Sequence, residues 1–132
     1  MNLKSYFDAH EGIGILATCD PNTSVNMALY VKPLVINQTT IALVMRQRLS
    51  HQNLKSFPRA SYMFIEKGKN HLEYNGIRLY LTVQREEINQ SVIEAMHKKE
   101  PWIYPEGDDA EKYLVFFSVT HIRPLVGNDP IA

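Results

Sequence analysis

The chain has 132 residues, 45% of them apolar and 21% charged, a balance that excludes a disordered or collagen-like polymer. Fourteen Lys and Arg offset fourteen Asp and Glu, so the basic excess expected of a nucleic-acid binder is missing. A domain of this length hides roughly 65–70% of the surface its unfolded chain exposes, so a single domain over residues 1–132 can build its core without disulfide or metal staples.

Cys19 is the single cysteine, which leaves neither an intrachain disulfide nor a thiolate zinc site to expect. His10, His51, His71, His97 and His121 are scattered without HxH or HExxH spacing, so no metal site is predicted. No apolar run approaches the roughly 20 residues of a membrane helix. Residues 1–10 lack the basic start and apolar stretch of a secretory signal, and the expected compartment is the cytoplasm.

Leu3, Tyr6 and Phe7 share one face of a short predicted helix in the first ten residues, which Gly12 and Gly14 end. Residues 13–18 alternate Ile13, Ile15 and Ala17 with Gly14, Leu16 and Thr18, a mostly apolar strand expected to be buried on both sides. Asp20-Pro21-Asn22 is a turn signal. Val25, Met27, Leu29 and Val31 then alternate with Asn26, Ala28, Tyr30 and Lys32, which predicts a strand with its apolar face toward the core. Pro33 marks an edge or an end. Asn37-Gln38 turns into a third strand over 40–45, and the three segments read as a meander. Ser50 is the expected N-cap of a helix over 50–57, stopped by Pro58. Strands follow over 60–65 and 77–83, a helix over 88–99 (Ile88, Val92, Ile93, Met96) and a last strand over 113–122. Six strands without strand–helix–strand alternation predict an antiparallel barrel with short peripheral helices.

Arg46 and Arg48 sit where a strand ends and a helix begins. First-turn N–H groups favour an anion, and arginine adds a planar fork of donors matched to phosphate oxygens. The segment is either a phosphate cradle or a solvated turn whose serine only caps its helix. Asn26 and Ala28 are small enough for a flat ring to lie against their strand, although the same face could meet solvent or another subunit. Arg78 and Tyr80 share a strand face suited to an interface or to water. Trp102 and Tyr104, in a Pro-bounded loop, are either a lid or a gap-filling anchor. Cys19 reads as a bland thiol, and no GxSxG, GxGxxG or P-loop motif is present.

Three segments together resemble the pyridoxamine 5′-phosphate oxidase-like family. They are Glu11-Gly12-Ile13-Gly14-Ile15-Leu16-Ala17-Thr18 with Val25-Asn26-Met27-Ala28-Leu29-Tyr30, then Arg48-Leu49-Ser50-His51-Gln52-Asn53-Leu54 with Pro58-Arg59-Ala60-Ser61, and Tyr74-Asn75-Gly76-Ile77-Arg78-Leu79-Tyr80-Leu81-Thr82. The resemblance spans roughly residues 10–125 and implies a mainly β, six-stranded antiparallel split β-barrel that binds flavin mononucleotide (FMN) in a groove between the subunits of a homodimer. On this sequence the implied ring-side residues are Asn26, Met27, Ala28, Leu29 and Tyr30, and the implied phosphate-side residues are Arg46, Arg48, Ser50, His51 and Asn53. Arg78, Tyr80 and Trp102 are the residues a second subunit would add. Leu49 stands where many relatives carry a lysine. The implied activity is flavin-dependent oxidoreduction of an unnamed small molecule rather than the pyridoxamine phosphate reaction itself. The competing expectations are a non-catalytic flavin carrier or sensor, a haem- or deazaflavin-binding relative, and a cofactor-free dimer.

Overall fold

Alternating side chains and short turns make most of this chain strand. The computed structural model describes residues 1–46, 48–68, 74–99 and 112–131. In chain order its elements are α1 (Leu3–Ala9), β1 (Gly12–Cys19), β2 (Val25–Tyr30), β3 (Leu34–Asn37), β4 (Thr40–Arg46), α2 (Leu49–Ser56), β5 (Arg59–Glu66), β6 (Gly76–Glu87), α3 (Gln90–Lys99) and β7 (Lys112–Pro124). The strands form one antiparallel sheet in the order β2-β1-β5-β6-β7-β4-β3. Its end strands β2 and β3 do not pair with each other, so this split barrel stays open. Two register shifts between β6 and β7, at Tyr80/Leu81 and Val83/Arg85, let the two longest strands bend and serve both halves of the sheet.

Four expectations from the sequence are corrected. There are seven strands, because Leu34–Asn37 forms a short edge strand against β4, with a bulge between Val35 and Asn37. The first segments are no meander: β1 lies between β2 and β5, while β4 lies between β3 and β7. In β1 only Gly14, Leu16 and Thr18 are buried, and Ile13 is 50% exposed. β2 turns the opposite face inward from the one predicted. Val25, Met27 and Leu29 point outward, with Met27 73% exposed, while Asn26, Ala28 and Tyr30 are half-buried. Pro33 does adjoin an edge strand, as its missing donor requires.

The main core gathers Leu16 of β1, Leu43 and Met45 of β4, Tyr62 and Phe64 of β5, Leu79 of β6 and Phe117 of β7. α1 caps it through Leu3 and Phe7, and the Phe7 ring meets Phe64 edge-on at 5.2 Å. The alternate residues of β4, Ala42 and Val44, pack with Leu114, Phe116 and Ile93 of α3 in a second cluster. β4 is therefore buried on both faces, which its near-continuous apolar sequence matches. α3 begins two residues later than the spacing predicts, and Ile88 is exposed ahead of it. No helix among the described residues is long and apolar enough to cross a membrane.

Tyr62 reaches across β1 to donate its hydroxyl to the Val31 carbonyl at 3.0 Å. Gly14 makes that path, since a Cβ there would collide with the Tyr62 hydroxyl and the Tyr30 carbonyl. Replacing Gly14 with Ala is expected to cost about 1–3 kcal/mol, as overpacked cores do. A fall in the urea midpoint with unchanged m-value would register it, and an unchanged midpoint would show that Tyr62 can move aside.

Candidate functional site

Helix α2 is placed by polar side chains. Asn53 donates its amide to the Thr18 hydroxyl at 3.1 Å, with both residues buried. His51 Nε2 lies 2.6 Å from Glu86 Oε2, and its ring stacks on Tyr113 at 4.4 Å. These contacts fasten α2 to β1 on one side and to the β6–β7 half of the sheet on the other. The helix starts one residue before the predicted cap: Arg48 occupies the N-cap without a side-chain capping bond, and Ser50 lies inside the first turn. Ser50 is thus free for another partner, and its hydroxyl accepts the Asn26 amide at 3.2 Å.

That bond joins the start of α2 to β2 and frames a groove of about 250 Å³. Its walls are residues 26–30 of β2, Val44 and Arg46 at the end of β4, and Arg48, Leu49 and Ser50. Two guanidinium groups line it and no carboxylate does, among the described residues. The first-turn N–H groups of Leu49, Ser50 and His51 precede the first intrahelical bond, which runs from Gln52 N to Arg48 O at 2.9 Å. Tyr30 closes the inner end. Burial raises its phenol pKa to about 12, outweighing the Ser50 hydrogen bond and the Arg48 charge, which both act to lower it.

Of the residues expected from the sequence, Asn26, Met27, Ala28, Leu29, Tyr30, Arg46, Arg48 and Ser50 meet in this one groove. His51 and Asn53 do not line it and instead tie the helix behind it. Arg78 lies elsewhere, on β6, where Nε donates to the Pro124 carbonyl at 2.9 Å and Nη2 to that of Gly127. Trp102 falls outside the described residues. Sequence reasoning missed Glu86 and Thr18, the partners that fix α2, because their pairing spans 35 positions in each case.

No family model matches the chain. No curated protein matches it either. Solved structures do. An FMN-binding protein from Syntrophomonas wolfei subsp. wolfei aligns at TM-score 0.75 and 20% identity, covering 96% of this chain and 86% of that one. A haem-binding protein from Mycobacterium smegmatis aligns at TM-score 0.65 and 20% identity, with 95% of this chain on 54% of that one. A candidate pyridoxamine 5′-phosphate oxidase from Listeria innocua aligns at TM-score 0.62 and 13% identity over 93% and 94% of the two chains. These likenesses establish the split-barrel fold.

The buried phenol of Tyr30 makes a prediction about alkali. Its folded-state pKa lies above the ordinary 10.0, so the unfolded chain loses this proton first as pH rises. The stability it contributes is present below pH 10 and is lost between pH 10 and about 12. The expected loss is about 2–3 kcal/mol, at 1.36 kcal/mol for each pKa unit. Urea titrations at stepped pH should show a shallower alkaline decline for Tyr30→Phe than for the parent, and equal slopes would refute the assignment.

Proposed function

We propose that this chain is a flavoprotein, with the phosphate of FMN held by Arg46, Arg48, Ser50 and the first-turn N–H groups of α2, and with the ring system lying along β2. The observation that carries the reading is the convergence of those donors, with no carboxylate among the described residues, in a groove walled by residues 26–30 of β2. Charge-assisted bonds from planar guanidinium groups suit a phosphate dianion. The fold shared with an FMN-binding protein adds support. A groove of about 250 Å³ falls short of the roughly 300–1,000 Å³ usual for an organic ligand. One chain then supplies the phosphate end and a single wall, and a second copy completes the enclosure.

The exposed apolar face supports that pairing. Ile13 of β1 and Met27 and Leu29 of β2 all point outward on neighbouring strands, at 50%, 73% and 50% exposure. Such a patch is unusual on a surface that stays in water. Of the residues the resemblance assigns to a partner's wall, Arg78 already gives its donors to the carbonyls of Pro124 and Gly127.

A bound flavin supplies hydride or single-electron transfer, and we assign the protein an oxidoreductase role on a small molecule. The chain's own contribution is orientation and electrostatics. Arg46 and Arg48 neutralise the phosphate, Asn26 holds Ser50 toward it, and Tyr30 stays uncharged beside it at neutral pH. A haem reading draws support from the mycobacterial neighbour. It is weaker: of its candidate axial ligands, His51 is engaged by Glu86 and Tyr113, and neither His10 nor His121 lines the groove.

Replacing Arg48 and Ser50 with Ala should weaken FMN binding roughly 10- to 100-fold, the worth of one or two charge-assisted bonds. Flavin fluorescence quenching measures this while circular dichroism confirms the fold; unaltered affinity rejects the cradle. Ile13→Asp, at a position outside the groove's lining, should convert a dimer to monomer in sedimentation equilibrium. A parent that sediments as a monomer removes the second wall from the proposal.

A further inference from the structure

A second groove, of about 570 Å³, opens on the outer face of the sheet and has more than twice the volume of the first. Strand register builds it. Ala17, Ser61, Tyr80 and His121 are successive partners across β1, β5, β6 and β7, so they stand in one row on one face. Arg59 lies on the same face, two residues before Ser61 on β5. The neighbouring residues Val25 and Asn26 point to opposite sides of β2, so Val25 borders this groove while Asn26 borders the other.

Its chemistry is one-sided. The Arg59 guanidinium has no hydrogen-bond or ion-pair partner among the described residues, and His121 spends only Nδ1, at 3.3 Å from the Thr120 hydroxyl. No carboxylate lines the groove among the described residues. Asp20, next in sequence to the lining residue Cys19, turns its Oδ1 to the backbone N–H groups of Asn22 and Ser24, each at 2.9 Å. The rest of the wall sets the uncharged hydroxyls of Ser61, Thr82 and Thr120 beside apolar and aromatic surface from Ala17, Val25 and the Tyr80 ring, which His121 meets edge-on at 6.2 Å. A cationic fork beside an aromatic and aliphatic wall matches a ligand with an acid group on a flat apolar body.

We propose that this groove is a binding site for a small amphipathic anion, a carboxylate or a phosphate ester carried on a ring, with Arg59 gripping the acid group and Tyr80 and Val25 flanking the body. None of the residues that line the first groove lines this one.

Calorimetric titration of the full chain with naphthalene-1-acetate, 1-naphthyl phosphate and the neutral naphthalene-1-acetamide tests it. At least one anion should bind ten-fold or more tightly than the amide, and whichever anion is tighter identifies the acid group. Arg59→Ala should weaken that anion at least ten-fold without changing the circular dichroism spectrum, whereas Arg48→Ala should leave it unaltered. Equal binding of the amide, no saturable binding of any probe, or loss in Arg48→Ala but not in Arg59→Ala would each overturn the proposal. The last outcome would place the probe in the first groove and leave the flavin reading standing.

Discussion

The geometry of the first groove depends on one buried polar contact. Asn53 donates to Thr18 inside the protein, where neither group can turn to water instead. An unmet amide at such depth costs roughly 1–3 kcal/mol, so helix α2 is not at liberty to slide along β1. Because α2 cannot slide, Arg48 and Ser50 reach the end of β4 and the flank of β2 together. His51 repeats the arrangement on the other side of the helix through Glu86 and Tyr113. Residues that look from the sequence like ligands for an anion thus act one layer back, as the fastening that keeps the donors of the first turn in register with the strand.

The strands and helices were legible because period-two and helical patterns are long in this chain. The 13-residue β7 was legible almost whole, whereas β6 was read only over 77–83, because Gln84, Arg85, Glu86 and Glu87 break its apolar alternation. β3 escaped notice for the opposite reason: four residues following a proline, with a bulge, carry too few alternations to register. The reversal of β2 has a different origin. Periodicity divides a strand into two faces but does not say which one looks inward. That choice was made by Asn26 and Tyr30, whose polar ends meet Ser50 across the chain. The groove itself was half legible. Arg46, Arg48 and Ser50 are neighbours in sequence, so local spacing announced them, whereas their junction with residues 26–30 depends on a tertiary bond. Arg78 shows the limit of residue type as a guide, since its donors are given to the carbonyls of Pro124 and Gly127.

The outer face of the sheet is divided by the same register that builds it. Toward one end, Ile13 pairs with Ile65 and Ile15 with Met63, giving an apolar surface. Toward the other, Ser61, Tyr80 and His121 stand in line beside Arg59, giving a polar hollow. Surfaces of these two kinds favour different company: the first gains by excluding water against another surface, the second by holding a charged solute. A single strand pairing, β1 with β5, passes from one regime to the other within a few residues.

The position of β2 at the rim of the sheet carries a further cost. Among the described residues no strand lies beside its outer backbone groups, and its outward side chains Val25, Met27 and Leu29 are all apolar. Such an edge is a template for unwanted growth of sheet from molecule to molecule. The chain limits it at one end: Lys32 folds its ammonium onto the carbonyls of Phe7 and His10, and Pro33 offers no N–H to extend the ladder. Concentrating or warming the protein should therefore turn it toward precipitation before its core unravels.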